Sequence, residues 1–214
     1  MDKNKKFVVT INREVGSGGR TVGRKLAERL NVKYYDKAIV SGLTEKFGLT
    51  LEEIERIKGQ KKSWWNEFNN YYNTRINSAQ QPMEAEVKLT TASMFETEKA
   101  ILQELAEQES CVVAGRSGFL IFRNWPNSLN VFIQASMEHR IARIMRKQEV
   151  DEEEARRIIQ KMDETRETYI KKYDNTTRYD TRNYQIVLSM DDMTPDGAAD
   201  VIMAYIQNSE GKSE

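Results

Sequence analysis

The chain has 214 residues, a length that allows one domain with a sizeable hydrophobic core. Its 33 Lys and Arg residues balance 33 Asp and Glu residues, so the net charge is zero and gives no general indication of a nucleic-acid or membrane partner. One cysteine, Cys111, and one histidine, His139, exclude an intramolecular disulfide framework, a thiolate zinc site and a multi-histidine metal site. Any catalysis is therefore expected to depend on arginines, carboxylates and a bound metal ion.

The same features predict a cytoplasmic protein. A single cysteine agrees with a reducing compartment, and Cys111 lies in the apolar run 111–114, which is typical of a buried structural thiol. The apolar run behind the charged residues 1–6 is too short for a signal peptide, and no segment has the length of a membrane span. His139 lies among arginines on a predicted helix, where a surface or helix-start position is the default interpretation.

A glycine-rich stretch follows the first predicted strand, residues 7–11, and precedes a helical pattern that starts near Val22. Residues 11–26 read I-N-R-E-V-G-S-G-G-R-T-V-G-R-K-L. Gly16, Gly18 and Gly19 allow the backbone to curl with its N–H groups directed into one concavity, and the helix adds its own unpaired N–H groups and the positive end of its dipole. We expect this turn to bind phosphate, and the hydroxyl of Thr21 could contact a magnesium ion that bridges nucleotide phosphates.

The glycine-rich stretch departs from the standard phosphate loop, G-x-x-x-x-G-K-[ST]. In one register Arg13 stands at the first glycine, Gly19 at the lysine and Arg20 at the hydroxyl residue. A shift by one residue aligns Gly19, Arg20 and Thr21 with Gly-Lys-Thr. Neither register contains the lysine, although Arg20 can supply positive charge. The alternative is a strand-to-helix turn without a ligand, and the flanking patterns favour phosphate binding.

Two segments follow the first helix and differ in character. Residues 32–36 predict a short strand that ends at Asp36, which could cap the next helix or point into a site at the carboxyl end of the sheet. Residues 58–97 predict a helical insertion, in which the aromatic residues of 64–76 recur near helical spacing. These aromatic side chains could stack on a nucleobase, or they could pack against the body of the protein or a second subunit.

Three further strands are predicted at 110–114, 130–135 and 183–188, alternating with helices. Gly115 and Arg116 directly follow the first of these strands, where the guanidinium group of Arg116 could bind a phosphate beside the glycine-rich turn. The last helix is predicted to start at Pro195, and the tail from residue 209 onward is expected to be disordered. Five strands alternating with helices predict an α/β three-layer sandwich around a five-stranded parallel sheet.

Two helices rich in arginine are predicted at 137–148 and from residue 151 onward. Mixed charge on such helices is usually a solvated face. The segment 146–180 also has the composition of a lid that closes cations over transferring phosphates. We predict a single domain over 1–214, with the insertion at 58–97 and the lid at 146–180.

The chain resembles the cytidylate kinase-like branch of the P-loop nucleoside monophosphate kinases over nearly all of residues 7–206. The motifs that carry the resemblance are I-N-R-E-V-G-S-G-G-R at 11–20, Y-Y-D at 34–36, V-V-A-G-R-S at 112–117, V-F-I-Q-A-S with H-R at 131–140 and D-E-T-R-E-T-Y at 163–169. The resemblance implies a P-loop kinase fold and transfer of the ATP γ-phosphate to a nucleoside monophosphate with Mg²⁺. Cytidylate kinases carry lysine in the loop and aspartate after Gly-Arg, where this chain has Gly19 or Arg20 and Ser117. The identity of the acceptor therefore stays open.

The resemblance also implies roles for individual residues. The candidate ATP-binding residues are those of the loop: Arg13, Gly16, Ser17, Gly18, Gly19, Arg20 and Thr21, with Thr21 also the candidate metal ligand. Asp36 and Arg116 are the candidate acceptor-binding residues. The candidate catalytic residues are Arg20 and three arginines near the lid, Arg143, Arg146 and Arg166.

The leading hypothesis is an ATP- and Mg²⁺-dependent kinase for a nucleoside monophosphate, with CMP and dCMP as the leading acceptors. An acceptor that is a phosphate monoester is ionised at neutral pH, so no strong general base is needed. One alternative is a nucleotide-binding regulatory or scaffolding protein without kinase turnover, which the missing lysine favours. Another is a kinase for a different small acceptor. We expect neither nucleic-acid nor membrane partners, and a homo-oligomer stays open.

Overall fold

A single parallel β-sheet is the centre of the computed structural model, which describes residues 1–36, 40, 73, 92–115 and 117–209. Within these residues the sheet has five strands in the order β2-β3-β1-β4-β5, and every pairing is parallel. The strands are β1 Val8–Arg13, β2 Lys33–Asp36, β3 Cys111–Ala114, β4 Ser128–Gln134 and β5 Ile186–Ser189. The predicted α/β fold with a five-stranded parallel sheet is confirmed.

The three inner strands are apolar because both faces of the sheet are covered. Every residue of β3 is buried, and so are Val8 to Ile11 of β1. Ile11 is aligned with Ala114 on one side and with Val131 on the other. This register brings the ends of β1, β2 and β3 to one edge of the sheet, where Arg13, Asp36 and Gly115 lie.

Helices precede or follow each strand in the described residues. They are α1 Gly19–Leu30, α2 Ala92–Gln108, α3 Gly118–Ile121, α4 Met137–Gln148, α5 Glu152–Tyr173 and α6 Pro195–Ser209. The side chain of Ser136 accepts a hydrogen bond from the His139 N–H at the start of α4, and Asp151 accepts one from the Glu154 N–H at the start of α5. Both N-caps agree with the predicted helix starts.

Alternation along β1 separates the helices into two layers. The side chains of Thr10 and Ile11 point to opposite faces of the sheet because successive residues of a strand alternate. Gly23 of α1 packs on the face of Ile11, with the site of its absent Cβ 3.5 Å from Ile11 Cγ1. Gly118 of α3 packs on the other face, where a Cβ would lie 3.2 Å from Thr10 Cβ. The chain therefore forms a sheet between two helical layers.

Two local differences from the sequence predictions concern connecting segments. The last strand starts at Ile186 rather than at residue 183, because residues Thr181–Asn183 form a 3₁₀ turn capped by Asp180. The short helix α3 was not predicted, and it begins after Ser117, whose φ of 53° is left-handed.

Several predictions fall on residues that the structure does not describe. The helix that Asp36 could cap lies outside the described residues except for residue 40, and the insertion at 58–97 does so up to residue 91, except for residue 73. The tail at 210–214 also lies outside them. Within the described residues, no helix combines the length and the apolar composition needed to cross a bilayer.

Candidate functional site

The glycine-rich turn between β1 and α1 forms a cradle of backbone N–H groups. Gly16 and Gly18 have φ values of 82° and 88°, in the left-handed region that favours glycine. Gly18 is the N-cap of α1 and has no side chain to cap the helix. The N–H group of Thr21 donates to the Gly18 carbonyl oxygen at 2.9 Å, so the helix begins at this turn and directs the positive end of its dipole toward it.

The cradle is packed closely against α4, which leaves no room for a side chain at Gly16. A Cβ on Gly16 would lie 2.8 Å from the carbonyl oxygen of Arg140. A Cβ on Gly18 would lie 3.5 Å from Cζ of Arg143. Ser17 is buried, and its hydroxyl donates to the Glu14 carbonyl oxygen at 3.0 Å, which closes the turn on itself.

Arg13, the last residue of β1, has a side chain that passes between two glycines. A Cβ on Gly19 would lie 2.7 Å from Cβ of Arg13 and 3.1 Å from its Cγ. A Cβ on Gly115, which follows β3 with a φ of 79°, would overlap Nη1 of Arg13 and lie 3.1 Å from its Cζ. Because both glycines lack a Cβ, the Arg13 guanidinium group can lie across the carboxyl ends of β1 and β3.

Arg20 and Asp36 form an ion pair at the same edge of the sheet. Nη2 of Arg20 donates to Oδ2 of Asp36 at 3.0 Å, and Nη2 of Arg24 lies 3.9 Å from that oxygen. The Asp36 side chain is only 2% exposed, so it depends on these cations for compensation of its charge. Burial also raises the pKa of the neighbouring Tyr34 phenol, with a further contribution from Asp36.

Arg143 on α4 contacts the predicted metal ligand directly. Its Nη2 donates to Oγ1 of Thr21 at 3.1 Å. Arg146, one turn nearer the end of α4, is exposed to solvent. Arg166 on α5 donates from Nη1 to the Arg13 carbonyl oxygen at 3.2 Å. Two of the three predicted lid arginines, Arg143 and Arg166, therefore contact the phosphate-loop segment.

Asp163 on α5 is the centre of an arginine cluster that contacts the backbone of the cradle. Its carboxylate accepts a hydrogen bond from Nη2 of Arg140 and lies 3.7 Å from Nη1 of Arg166 and 3.4 Å from Nη1 of Arg178. It also accepts from the backbone N–H of Val15 at 3.2 Å. One carboxylate thus ties α4, α5 and the following loop to the cradle.

Arg178, in the loop after α5, is completely buried beside the Arg13 backbone. Its Nη2 donates to the Arg13 carbonyl oxygen at 2.6 Å, and its guanidinium group lies 5.9 Å and 5.0 Å from the ring centroids of Phe132 and Tyr179. The Tyr184 hydroxyl donates to the carbonyl oxygen of Arg178 at 2.8 Å, which anchors this loop. Nε and Nη1 of Arg178 are buried without a hydrogen-bond partner among the described residues.

The loop after β5 is linked to the start of α4 by Asp191. Its carboxylate accepts from the Ser136 N–H at 2.9 Å and from the Ser189 hydroxyl at 2.7 Å. These hydrogen bonds from Ser136 and Ser189 lower the pKa of Asp191 to about 2. The contact keeps two loops together at the carboxyl edge of β4 and β5.

The sequence predictions and the geometry can be compared residue by residue. The structure brings together Arg13, the cradle residues 16–21, Asp36, Arg143 and Arg166, whereas Arg146 is exposed on α4. Arg116 lies outside the described residues. Three residues of the arginine cluster were not predicted as site residues: Arg140, Asp163 and Arg178. Arg140 and Asp163 belong to two of the motifs that carry the family resemblance, at 131–140 and 163–169, which is the one signal that could have identified them, and Arg178 belongs to none of these motifs.

Comparison with known proteins identifies the family of this chain. The model of the cytidylate kinase-like family matches residues 8–192. A cytidylate kinase from Methanopyrus kandleri is 25% identical over 208 residues, which cover 93% of this chain and 92% of that protein. An S-adenosylmethionine-dependent nucleotide dehydratase from Lacinutrix mariniflava is 23% identical over 98% of this chain, but the chain spans only 38% of its length.

Solved structures share the same architecture. An uncharacterized protein from Eubacterium ventriosum superposes with a TM-score of 0.69 at 24% identity, covering 94% of this chain and 98% of that one. Shikimate kinase from Bacteroides thetaiotaomicron has a TM-score of 0.51 at 14% identity over 94% of this chain and 98% of its own. A gluconokinase from Sinorhizobium meliloti has a TM-score of 0.51 at 14% identity over 98% of both chains. These likenesses show the fold of P-loop kinases.

Proposed function

Because the chain belongs to the cytidylate kinase-like family, we propose that it is a kinase that transfers the γ-phosphate of ATP to a nucleoside monophosphate, with CMP and dCMP as the leading acceptors. The observation that carries this proposal is the cradle at the start of α1, beside which lie the side chains of Arg13 from β1 and Arg143 from α4. Such a site has the charge and the backbone geometry for a polyphosphate.

The choice of a nucleotide acceptor comes from the relatives. Methanopyrus kandleri cytidylate kinase matches this chain over almost the full length of both proteins. The Lacinutrix mariniflava relative is named for a nucleotide substrate as well, although this chain corresponds to only part of it. Shikimate kinase and gluconokinase share the fold at 14% identity. At this identity their substrates give no indication of the substrate of this chain.

The loop residues fit ATP and Mg²⁺. The N–H groups of the cradle would hold the phosphates, because the left-handed φ values of Gly16 and Gly18 curl the backbone around one concavity. The Thr21 hydroxyl, which now accepts a hydrogen bond from Arg143, would be the protein ligand of Mg²⁺. When bound, Mg²⁺ neutralises charge on the phosphate oxygens.

The acceptor would be held on the β2 and β3 side of the cradle. Asp36 and Arg116 are the residues that we assign to it, with Arg20 orienting Asp36 through their ion pair. A guanidinium group can bind a phosphate with two parallel hydrogen bonds, which fixes both the position and the orientation of the acceptor. Asp36 can accept hydrogen bonds from acceptor hydroxyl or amine groups.

Catalysis would then consist of positioning and charge neutralisation. Arg143 and Arg166 stabilise the charge that is distributed over the transferred group, and they cost little reorganisation because both are held in place by other contacts. The acceptor phosphate is already ionised at neutral pH, so no side chain has to remove a proton from it. The roles of these residues do not require the single histidine of the chain.

The test is an ADP-release assay with ATP–Mg²⁺ and each nucleoside monophosphate in turn. Selective turnover of CMP or dCMP supports the proposal, and turnover of a sugar or another small acceptor in place of all nucleoside monophosphates contradicts it. ATP binding measured by calorimetry without any turnover supports a regulatory protein instead. Absence of both binding and turnover removes the nucleotide assignment.

The Arg116→Ala variant tests the acceptor side separately. It is expected to raise the acceptor KM by roughly tenfold or more and to leave the ATP KM within about threefold. Arg123→Ala is the matched control, because Arg123 pairs with Asp174 at 2.7 Å and its side chain is 43% exposed. Equal effects of Arg116→Ala on both KM values contradict the assignment of Arg116 to the acceptor.

A further inference from the structure

We infer that the guanidinium group of Arg13 binds the phosphates of ATP in place of the lysine that the loop lacks. The inference rests on the proposed function, because it names the cation of the same phosphate site. It assigns this cation to the end of β1 rather than to the start of α1. The loop would then have exchanged a glycine and a cation between two of its positions.

The exchange is visible in the register of the loop. When Gly18 is aligned with the second glycine of G-x-x-x-x-G-K-[ST], Arg13 stands at the first glycine and Gly19 stands at the lysine. A standard loop has glycine first and a cation at the later position. This chain has a cation first and glycine at the later position. In the same register Arg20 stands at the hydroxyl position, so the candidate Mg²⁺ ligand Thr21 follows that position by one residue.

Packing explains why the two substitutions occur together. A Cβ on Gly19 would lie 2.7 Å from Cβ of Arg13 and 3.1 Å from its Cγ, closer than real Cβ contacts come. The side chains of residues 13 and 19 therefore compete for one space. With arginine at position 13, only glycine fits at position 19 without displacement of β1 or α1.

The guanidinium group of Arg13 lies where it can reach a bound phosphate. It extends across the end of β3, where a Cβ on Gly115 would overlap its Nη1. The carboxyl ends of β1 and β3 border the crevice in which parallel α/β proteins bind their ligands. Gly115 thus makes room for the cation at the carboxyl end of β3.

Arg20 is a poorer replacement for the lysine, although its position in the sequence suggested it. Its guanidinium group is paired with the buried carboxylate of Asp36 at 3.0 Å, so much of its charge is compensated. The pair also directs Arg20 toward β2, whereas Arg13 crosses the ends of β1 and β3. Arg13, whose Cβ and Cγ border Gly19, is therefore the cation that we assign to the role of the lysine.

The test is a cycle of variants at positions 13 and 19, measured by calorimetric binding of ATP–Mg²⁺ and of inorganic tripolyphosphate. Arg13→Gly removes the cation and its Cβ, and Gly19→Lys adds a lysine into occupied space. Each single variant is expected to lose roughly tenfold to a hundredfold in affinity for both probes. The double variant R13G/G19K is expected to regain affinity, because it restores both the space and the charge.

The double variant R13A/G19K is the matched control for packing. Alanine retains the Cβ that lies 2.7 Å from the Gly19 position, so this variant is expected to stay weak although it carries the same lysine. Arg13→Gln keeps the Cβ and Cγ contacts but removes the charge, and its thermal melting shows whether the fold is intact. The backbone carbonyl of Arg13, which accepts from Arg166 and Arg178, is present in every variant.

The outcomes separate this inference from the proposed function. Wild-type binding of tripolyphosphate, with loss in Arg13→Gln at unchanged melting temperature, supports the inference. Wild-type affinity in Arg13→Gln overturns it and leaves the kinase proposal standing. Failure of R13G/G19K to recover affinity while it melts like the wild type overturns the exchange. If the wild type binds neither probe, the inference and the kinase proposal are both wrong.

Discussion

Arg20 at the start of α1 and Asp36 at the end of β2 are joined by a hydrogen-bonded ion pair of 3.0 Å. The two residues were predicted for different parts of the site, Arg20 for ATP and Asp36 for the acceptor. Under the proposed function, their contact links the ATP side of the site to the acceptor side, because α1 carries one partner and β2 carries the other. A change at either residue should therefore affect both stability and acceptor binding.

The first prediction is a double-mutant cycle on this pair. Arg20→Ala and Asp36→Asn should each lower the free energy of unfolding by about 2 kcal/mol, because each leaves a buried charged or polar group without its main partner. The double variant should lose less than the sum, with a coupling energy of about 1–3 kcal/mol by urea denaturation. Because Arg24 lies 3.9 Å from Asp36 and still compensates part of its charge, the loss of stability in Arg20→Ala is expected to be smaller than without this second cation.

A control for this cycle is the exposed pair of Lys25 and Asp196, 2.9 Å apart, whose side chains are 35% and 56% exposed. Its coupling energy should stay below about 1 kcal/mol because solvent screens it. Additive effects of Arg20→Ala and Asp36→Asn, as at the exposed pair, would contradict the importance of the buried contact.

The second prediction concerns Asp163, the carboxylate of the arginine cluster. Asp163→Asn should lower the free energy of unfolding by about 3–5 kcal/mol, because the guanidinium groups of Arg140, Arg166 and Arg178 lose their shared counter-charge in a place where the Asp163 side chain is only 12% exposed. Glu164→Gln, at the exposed neighbouring position, should change it by less than about 0.5 kcal/mol. Equal urea midpoints for the two variants would show that the cluster is not important for stability.

The third prediction is a pH dependence that comes from Asp191. Hydrogen bonds from Ser136 and Ser189 lower its pKa from 3.8 to about 2 in the folded protein, so the carboxylate stabilises the fold above the unfolded pKa and this contribution is lost as the pH falls through the folded pKa. The difference in melting temperature between wild type and Asp191→Asn should be largest at neutral pH and should disappear between about pH 4 and pH 2.

Ser189→Ala provides the control for this titration. It removes the hydroxyl that donates to Asp191 at 2.7 Å, so the pKa of Asp191 should move back toward its ordinary value. The pH dependence assigned to Asp191 should become smaller in this variant. A gap between wild type and Asp191→Asn that stays constant from neutral pH to pH 2 would contradict the assignment.

The fourth prediction concerns the thiol of Cys111. The residue is buried in β3, and burial raises the pKa of the thiol, so little thiolate is available to react. Ellman's reagent should detect no thiol in the native protein and one thiol per chain after unfolding in guanidinium chloride. Asp192→Cys, at an exposed position, is the positive control and should react at once in the native protein. Rapid reaction of native wild-type protein would show that β3 opens readily.

The sheet could be predicted from the sequence because its inner strands leave a strong local signal. Residues 111–114 and 130–133 are apolar without interruption or nearly so, as expected for strands covered on both faces. The helix starts near residues 137 and 151 could be predicted for a similar local reason, and the structure shows that Ser136 and Asp151 cap these helices. The start of β5 was less well predicted, because Tyr184 has the apolar character of a strand residue but follows a 3₁₀ turn and packs near Phe119 and Phe132.

The arginine cluster could not be predicted in this way. Arg140, Asp163 and Arg178 stand in segments of mixed charge that resemble solvated helical faces, yet Arg140 is 6% exposed and Arg178 is fully buried. Their burial results from contacts between α4, α5 and the loop after α5, which are far apart in sequence. A charged residue has the same local pattern whether its partner is water or a distant carboxylate.

By itself, the sequence determined the strand–glycine–helix order of the phosphate cradle, the apolar strands of the sheet and the lack of a lysine in the loop, because each depends on neighbouring residues. Only the tertiary structure decided which cations surround the cradle. It paired Arg20 with Asp36, gathered Arg140, Arg166 and Arg178 around Asp163, and extended Arg13 across Gly115. The physical reason is that the charge at a site is the sum of side chains brought together from distant segments, and packing selects which of them can be there.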